Sequence, residues 1–369
     1  MATKGTKRKE KLSIKELKEK TSESKEKTKE LSILEGSAWA VMIGAGARFI
    51  TPYAVALGLS NFIIGLISAF STIASSLGQY VGAWWLQFAK NRREVLFKSA
   101  IVQAVVWIPI AFLFLLSPDL SGPTLVVLYS LAAFFGSLAS PAWTSIIADS
   151  VEKHERGEFF GRRNKILGIV NLVASLAAGY LLKVVTNNAF IGFVTLFITA
   201  FIFRAISAYL LVNYRDPSFK EKREPLLKIF QIPADKHFRN FLLLSSGMVF
   251  ATYIAAPFFA VYMLKDLKFD YLSFSMVQVA PIFTAIFTQP YWGKVIDKYG
   301  TRPVLFATSI LIIFVPLLWI FAKDFVFALL IELYSGVVWA GFDLSVFNFL
   351  FMVAPRSKIP QYAAHANGI

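Results

Sequence analysis

The chain divides into ten long apolar runs separated by short polar connections. The runs cover roughly 37–58, 61–88, 95–117, 123–149, 164–183, 188–213, 240–264, 271–292, 303–322 and 325–353. Apolar residues are continuous through each run rather than alternating, which predicts helices and argues against a membrane barrel. At about 1.5 Å per residue, each run is long enough to cross a hydrocarbon layer about 30 Å thick. The expected architecture is an all-α polytopic membrane protein of about ten transmembrane helices.

Composition agrees with this pattern. Only 17% of residues are charged against 56% hydrophobic, with mean hydropathy +0.58, more apolar surface than a soluble domain tolerates. The net charge of +15 is a matter of topology. Apart from Arg48 and Arg204 deep in apolar runs, 32 Lys and Arg lie in or at the edges of the N-terminal segment, the even-to-odd connections and the C-terminal segment, whereas Lys183, Lys265, Lys268 and Lys323 alone lie on the other side. By the positive-inside rule the first set faces the cytoplasm of a cell membrane, and no nucleic-acid partner is needed to explain it. Residues 1–35 carry eleven Lys or Arg and seven Glu without apolar periodicity, so they read as a solvated cytosolic tail. No cleavable signal is expected, because the first apolar run begins after that tail. There are no cysteines, and His154, His237 and His365 fall in predicted connections, so neither a metal nor another cofactor is expected.

Internal repetition organises the runs further. Thr51-Pro52-Tyr53-Ala54-Val55 leads through a helical hairpin to Arg93-Glu94-Val95-Leu96-Phe97, and Ala256-Pro257-Phe258-Phe259-Ala260-Val261 leads through another to Arg302-Pro303-Val304-Leu305-Phe306. The chain therefore reads as two copies of one six-helix unit, 36–213 and 240–369. They are joined by a charged, proline-bearing cytosolic linker at 214–239, whose surface helices would lie along the membrane.

The connection from Gly293 to Phe306, GKVIDKYGTRPVLF, carries the most specific motif. Gly293 suits close helix approach, Asp297 and Lys298 are opposite charges at the membrane surface, Gly300 permits a tight turn, and Arg302 offers a rigid fork of donors. This GxxxDKxGxR spacing resembles the signature loop between the eighth and ninth helices of the major facilitator superfamily. Its first-half counterpart, Lys90-Asn91-Arg92-Arg93, keeps the basic end but lacks the Asp and second Gly. Asp149 followed by ERGEFFGRR, Glu155 to Arg163, is similar to the superfamily pattern at the cytoplasmic ends of the fourth and fifth helices. The resemblance covers residues 37–369 and implies two pseudo-symmetric six-helix bundles. It implies a cytoplasmic gate of Arg93, Asp149, Arg163, Gly293, Asp297, Lys298, Gly300 and Arg302; helix capping by Asp149 is an equal reading from the residues alone. The resemblance also implies twelve helices. The last segment, APRSKIPQYAAHANGI, reads as the start of an eleventh, so the chain has the pattern of a truncated frame lacking the last two.

Ionisable residues inside apolar runs are costly and mark functional sites by default. Four stand out: Arg48, Arg204, Glu332 and Asp343. In the superfamily the first, fourth, seventh and tenth helices line a central cavity, which implies a substrate and proton site of Arg48, Glu332, Asp343, Trp339 and Tyr253. Glu332 and Asp343 are eleven residues apart and return to nearly the same helix face, with Trp339 between them. Arg48 either holds an anionic group of the solute or pairs with one of these carboxylates. A permanent ion pair between the halves is an equal reading. Arg204 reads as snorkelling toward headgroups. Gln79, Gln103, Tyr129, Trp143, Gln278, Gln289 and Asn348 offer further polar contacts, for which interhelical hydrogen bonding serves as well. The fifth run lacks the Gly-Pro pair that resembles the drug-antiporter signature.

The resemblance implies a secondary transporter, not an enzyme, that moves a small organic solute by alternating access. The coupling ion is expected to be the proton, an anionic solute is the expectation that Arg48 raises, and the protein is expected to be a monomer in contact with membrane lipid. The rival expectation is a non-transporting membrane sensor or assembly partner that retains the incomplete fold.

Overall fold

A computed structural model describes residues 23–152, 155–185, 189–216 and 235–353, with positions 225, 231 and 365. Among them, ten helices are long and apolar enough to cross a membrane, and there is no strand. In chain order they are α1 (Glu23–Ala56), α2 (Asn61–Leu86), α3 (Arg92–Leu115), α4 (Asp119–Ser150), α5 (Gly157–Val184), α6 (Phe190–Val212), α7 (Lys236–Asp266), α8 (Tyr271–Tyr299), α9 (Thr301–Trp319) and α10 (Phe325–Phe349). The first 22 residues, most of the 214–239 linker, His154 and the expected eleventh helix apart from His365 lie outside the described residues.

Helix starts follow the side chains that satisfy the free amides of a first turn. Ser60 accepts from the Ile63 amide ahead of α2, Asn91 from Glu94 ahead of α3, Asp235 from Phe238 ahead of α7, Asp270 from Ser273 ahead of α8, and Asp324 from Phe327 ahead of α10. At the other end of α8, Gly300 adopts φ 87° and is the whole connection to α9. The motif expected as a polar loop is thus mostly helix. Gly293, Asp297 and Lys298 sit in the last turns of α8, since nothing in their sequence breaks a helix before Gly300.

The two halves repeat the same kind of seam. In the first, Gly78 and Gly82 of α2 lie so close to the Phe134 and Leu138 carbonyls of α4 that a Cβ has no room. In the second, Gly336 of α10 meets the Pro281 backbone and Thr284 of α8 in the same way. Small residues let helix backbones approach where lipid offers no hydrophobic drive for association. Gly293 does not take this role, contrary to expectation: a Cβ there meets open space.

Residues 23–35, expected as part of a solvated tail, instead continue α1 by about three turns. Thr28, Ser32 and Glu35 form a buried stripe at helical spacing. The Arg215 amide donates to Thr28 Oγ1 (3.1 Å), Arg163 Nε to Ser32 Oγ (3.1 Å), and Lys29 Nζ pairs with Glu155 (2.5 Å). The stripe is polar, so hydropathy does not register it. Nor are the histidines all in loops: His237 opens α7, and His365 is buried with Nδ1 3.1 Å from the Tyr80 hydroxyl of α2.

Replacing Gly78 by Leu should force α2 and α4 apart and lower the thermal midpoint of the purified protein markedly, while Gly293→Leu should leave it nearly unchanged. Equal losses would contradict the seam.

Candidate functional site

α1 is not a uniform helix where it carries its charge. A π turn, Met42–Gly46, passes into a 3-10 turn, Ala47–Phe49, before regular geometry resumes at Ile50. Such irregular turns recur at functional positions because they re-aim side chains and loosen backbone pairing. Within the π turn, Gly44 packs directly on the Asn171 carbonyl and the Ser175 hydroxyl of α5. That close approach brings Arg48 to the seam between α5 and α8.

The Arg48 guanidinium is held by neutral oxygens from both halves. Nη1 donates to the Gln278 carbonyl of α8 (2.9 Å) and Nη2 to Asn171 Oδ1 of α5 (3.1 Å). The Ser175 hydroxyl, with its single proton, lies within reach of both the Gly44 carbonyl (3.2 Å) and Asn171 Oδ1 (3.3 Å). Arg48 Nε is buried without a hydrogen-bond partner. Among the described residues no carboxylate lies within ion-pairing distance. Beside it is a cavity of about 260 Å³ lined by Ile43, Arg48 and Thr51 of α1, Ala256, Pro257 and Ala260 of α7, and Phe274 and Gln278 of α8. Thr51 and Ala256 are matching positions of the internal repeat, so the cavity lies where the two copies meet. Pro257 has no N–H, which leaves the Tyr253 carbonyl without its helical donor.

The other expected site residues are not gathered here. Glu332 accepts from Trp319 Nε1 of α9 (3.1 Å) and from the Ser335 hydroxyl, inside the second half. Trp319 in turn stacks on Phe259 of α7, with ring centroids 4.8 Å apart. Asp343 is exposed on α10 and makes no hydrogen bond or ion pair among the described residues. Trp339 meets Phe342 edge to face, and Tyr253 is exposed on α7. The expected pairing of Arg48 with Glu332 or Asp343 is therefore absent among the described residues. Eleven-residue spacing places two side chains on one stripe of a helix but does not say which neighbour that stripe meets.

The expected gate splits into separate clusters on the face that carries residue 23. Arg92, not Arg93, is the buried cation of the first: Nη1 pairs with Asp149 (2.7 Å) and Nε with the buried Asp216 (2.8 Å). Arg93 reaches the Val212 carbonyl (3.2 Å). Of two adjacent arginines, α3's rotation buries one and leaves the other at the rim. Arg163 does not join Asp149. Its Nη2 lies 3.9 Å from Glu35, and its guanidinium covers the Trp143 ring at 4.5 Å. Glu35 also accepts from Ser207 Oγ (2.8 Å) and the Tyr214 hydroxyl (3.3 Å), and lies 3.8 Å from Arg204. Arg204 is thus buried in a cluster rather than snorkelling, because α1 continues past the expected tail boundary and supplies Glu35. Burial first, and the Glu35 charge second, push the Tyr214 phenol well above its usual range. In the second half, Asp297 and Lys298 form no ion pair among the described residues. Lys298 lies over Tyr299 (5.0 Å) and Arg302 over Phe349 (5.8 Å).

On the opposite face the halves are linked directly. Lys183 of α5 pairs with Asp270 at the start of α8 (2.9 Å), and Lys265 of α7 donates to the Leu59 carbonyl (3.3 Å) between α1 and α2. Burial works to raise the Asp270 carboxyl, but the Ser273 amide, Lys183 and the Ser273 hydroxyl outweigh it and hold the group below its ordinary 3.8. Asn171, Gln278, Glu35, Arg92 and Asp216 complete these sites. Of them, sequence reasoning singled out only Gln278, and only as a generic polar contact.

The profile of the Major Facilitator Superfamily matches residues 36–369. No curated protein matches the chain in sequence. Among solved structures, a mutant of the nucleoside transporter NupG superposes with a TM-score of 0.70 at 13% identity, over 93% of this chain and 88% of that one. A D-xylose-proton symporter gives 0.68 at 16% identity, over 93% and 85%. The xylose transporter XylE from E. coli in an inward-open conformation gives 0.65 at 17% identity, over 93% and 85%. At these identities the likeness is one of fold.

Arg92→Ala leaves Asp216 buried without a counter-ion, a change that costs about 3–5 kcal/mol in comparable buried pairs. Thermal unfolding should show a large loss for Arg92→Ala and a small one for Arg93→Ala. The stabilisation from Asp270 is complete above its ordinary 3.8 and is lost as the pH falls below it. The chain has no cysteine, so Thr51→Cys provides a single reporter. Asp270→Asn should hasten its labelling at neutral pH by an impermeant thiol reagent added to the Lys183 face, and unchanged labelling would remove the Lys183–Asp270 pair as a closure.

Proposed function

The chain belongs to the Major Facilitator Superfamily, and on that premise we propose that it moves a small organic solute across the cytoplasmic membrane by alternating access, coupled to protons. As a multi-pass membrane protein of a secondary-transporter family, it needs a solute site that both halves can reach. The observation that carries the reading is the Arg48 cavity: a half-buried cation without a counter-ion, held by α5 and α8 together and walled by α1, α7 and α8. An anionic group of the solute would complete it. In this reading the face bearing residue 23 is cytoplasmic, as the distribution of Lys and Arg favours.

The links between halves favour a state open to the cytoplasm. Lys183–Asp270 and Lys265–Leu59 close the outer face, while Asp297, Lys298 and Arg302 stand without ionic partners among the described residues. Rocking of the halves would release the first set and engage the second with the N-terminal half. Glu332 and Asp343 are the proposed proton carriers. A carboxylate in a membrane helix without a cation is strongly sensitive to protonation. Glu332 is the better placed of the two, because Trp319 and Phe259 connect it to α7, which walls the cavity. The likeness to a D-xylose-proton symporter supports proton coupling.

Proteoliposomes holding a trapped pH dye test this directly. Sugars, nucleosides, amino acids and organic acids are offered in turn under an imposed pH gradient, with labelled solute followed in parallel. One class should enter together with protons. Arg48→Ala should abolish entry while leaving the protein folded, and Glu332→Gln should keep solute exchange but lose gradient-driven accumulation. If no solute crosses, the chain is a non-transporting member of its family.

A further inference from the structure

The lining of the Arg48 cavity holds one charged side chain and mixes polar with apolar surface. Ile43, Ala256, Pro257, Ala260 and Phe274 are apolar, and apart from Arg48 only Thr51 and Gln278 bring polar side chains. A guanidinium has five N–H donors. Here two are taken by neutral oxygens, and the buried Nε has no partner. Neutral acceptors orient the group without cancelling its charge. With no described carboxylate at ion-pairing distance, the cavity carries one uncompensated positive charge.

We infer that the solute is a small organic monoanion, a monocarboxylate with a compact apolar body, rather than a sugar, a nucleoside or a dianion. This rests on reading the cavity as the transport site. The guanidinium fork matches a carboxylate in shape and charge. A second negative charge would find no second cation in the lining. A pentose or nucleoside would bury several hydroxyls against Ile43, the two alanines and Phe274, and buried hydroxyls without partners weaken binding steeply. The volume of about 260 Å³ lies just under the about 300 Å³ at which typical ligand pockets begin; the cavity is open on one side, so it favours a compact body at the guanidinium without enclosing it. Phe274 supplies a flat wall for such a body, and its ring is held edge to face by Phe49.

The test uses the full-length protein in detergent, with thermal stability followed against increasing benzoate, benzamide, phthalate, acetate, D-xylose and uridine. A ligand that binds the folded state raises the midpoint by mass action, so each series yields an apparent Kd. Benzoate should stabilise the parent, and benzamide, phthalate, D-xylose and uridine should not at the same concentrations. Arg48→Gln should weaken benzoate by about tenfold or more, as loss of a charged hydrogen bond does. Ala256→Leu shrinks the cavity without touching the guanidinium, so it should weaken benzoate more than acetate; this arm stands even if Arg48→Gln fails to fold. Benzamide binding as tightly as benzoate would overturn the anionic assignment. Stabilisation by D-xylose, uridine or phthalate that depends on Arg48 would overturn the solute class while leaving the transport reading intact. Silence from every probe would also overturn the class, and the flux assay would then decide transport on its own.

Discussion

A half-buried guanidinium held by neutral oxygens is the constraint around which the middle of this molecule is arranged. Taking a cation out of water is expensive, and hydrogen bonds to a carbonyl and a carboxamide reduce that cost without removing the charge. Arg48 is therefore in an unfinished environment. The chain commits considerable structure to keeping it there: an irregular π and 3-10 passage in α1, and a glycine that lets α1 lie on α5 beside Asn171 and Ser175. Because one acceptor belongs to α5 and the other to α8, the same residue also ties the two halves together at the cavity.

The polar contacts on the two faces differ in kind. On the Lys183 face, ionic and hydrogen-bonded links run between the halves, from α5 to α8 and from α7 to the turn after α1. On the other face, the ionic clusters among the described residues run within the first half: Arg92 with Asp149 and Asp216, and Glu35 with Arg163 and Arg204. Clusters of the second kind hold one bundle rigid, whereas links of the first kind have to break for the bundles to move apart. In the proposed mechanism this separates stiffness from switching. The arginine clusters preserve the first half as a body, and exposed pairs of modest strength set the balance between states.

Internal symmetry gives the site its asymmetry. Thr51 and Ala256 correspond in the repeat and wall the same cavity, so three residues earlier Arg48 corresponds to Tyr253. One copy brings a charge to the cavity, whereas the other has at the matching position Tyr253, exposed on α7 and outside the lining; both carry a proline four residues on, Pro52 and Pro257. Two scaffolds that match in their glycine seams, Gly78 and Gly82 in one and Gly336 in the other, thus present different chemistry to their common space.

The sequence by itself determined the number and order of the helices, the pairing of the halves through the repeat, and the family through a short motif ending in Arg302. Those features follow from local quantities: run length, the positions of Gly and Pro, and the sidedness of Lys and Arg. It also singled out Arg48, since an arginine inside an apolar run is conspicuous without any structure. What only the tertiary structure decided was the company each charge keeps. Arg92 rather than Arg93 faces Asp149, Arg163 and Arg204 turn to Glu35, and Glu332 meets Trp319 instead of Arg48. Partner choice depends on helix rotation and on which helices are neighbours, and neither leaves a trace in hydropathy. The first turns of α1 were illegible for a related reason. Their buried stripe is Thr28, Ser32 and Glu35, and a polar stripe within a Lys- and Glu-rich segment looks like solvated chain until the elements that cover it are in place.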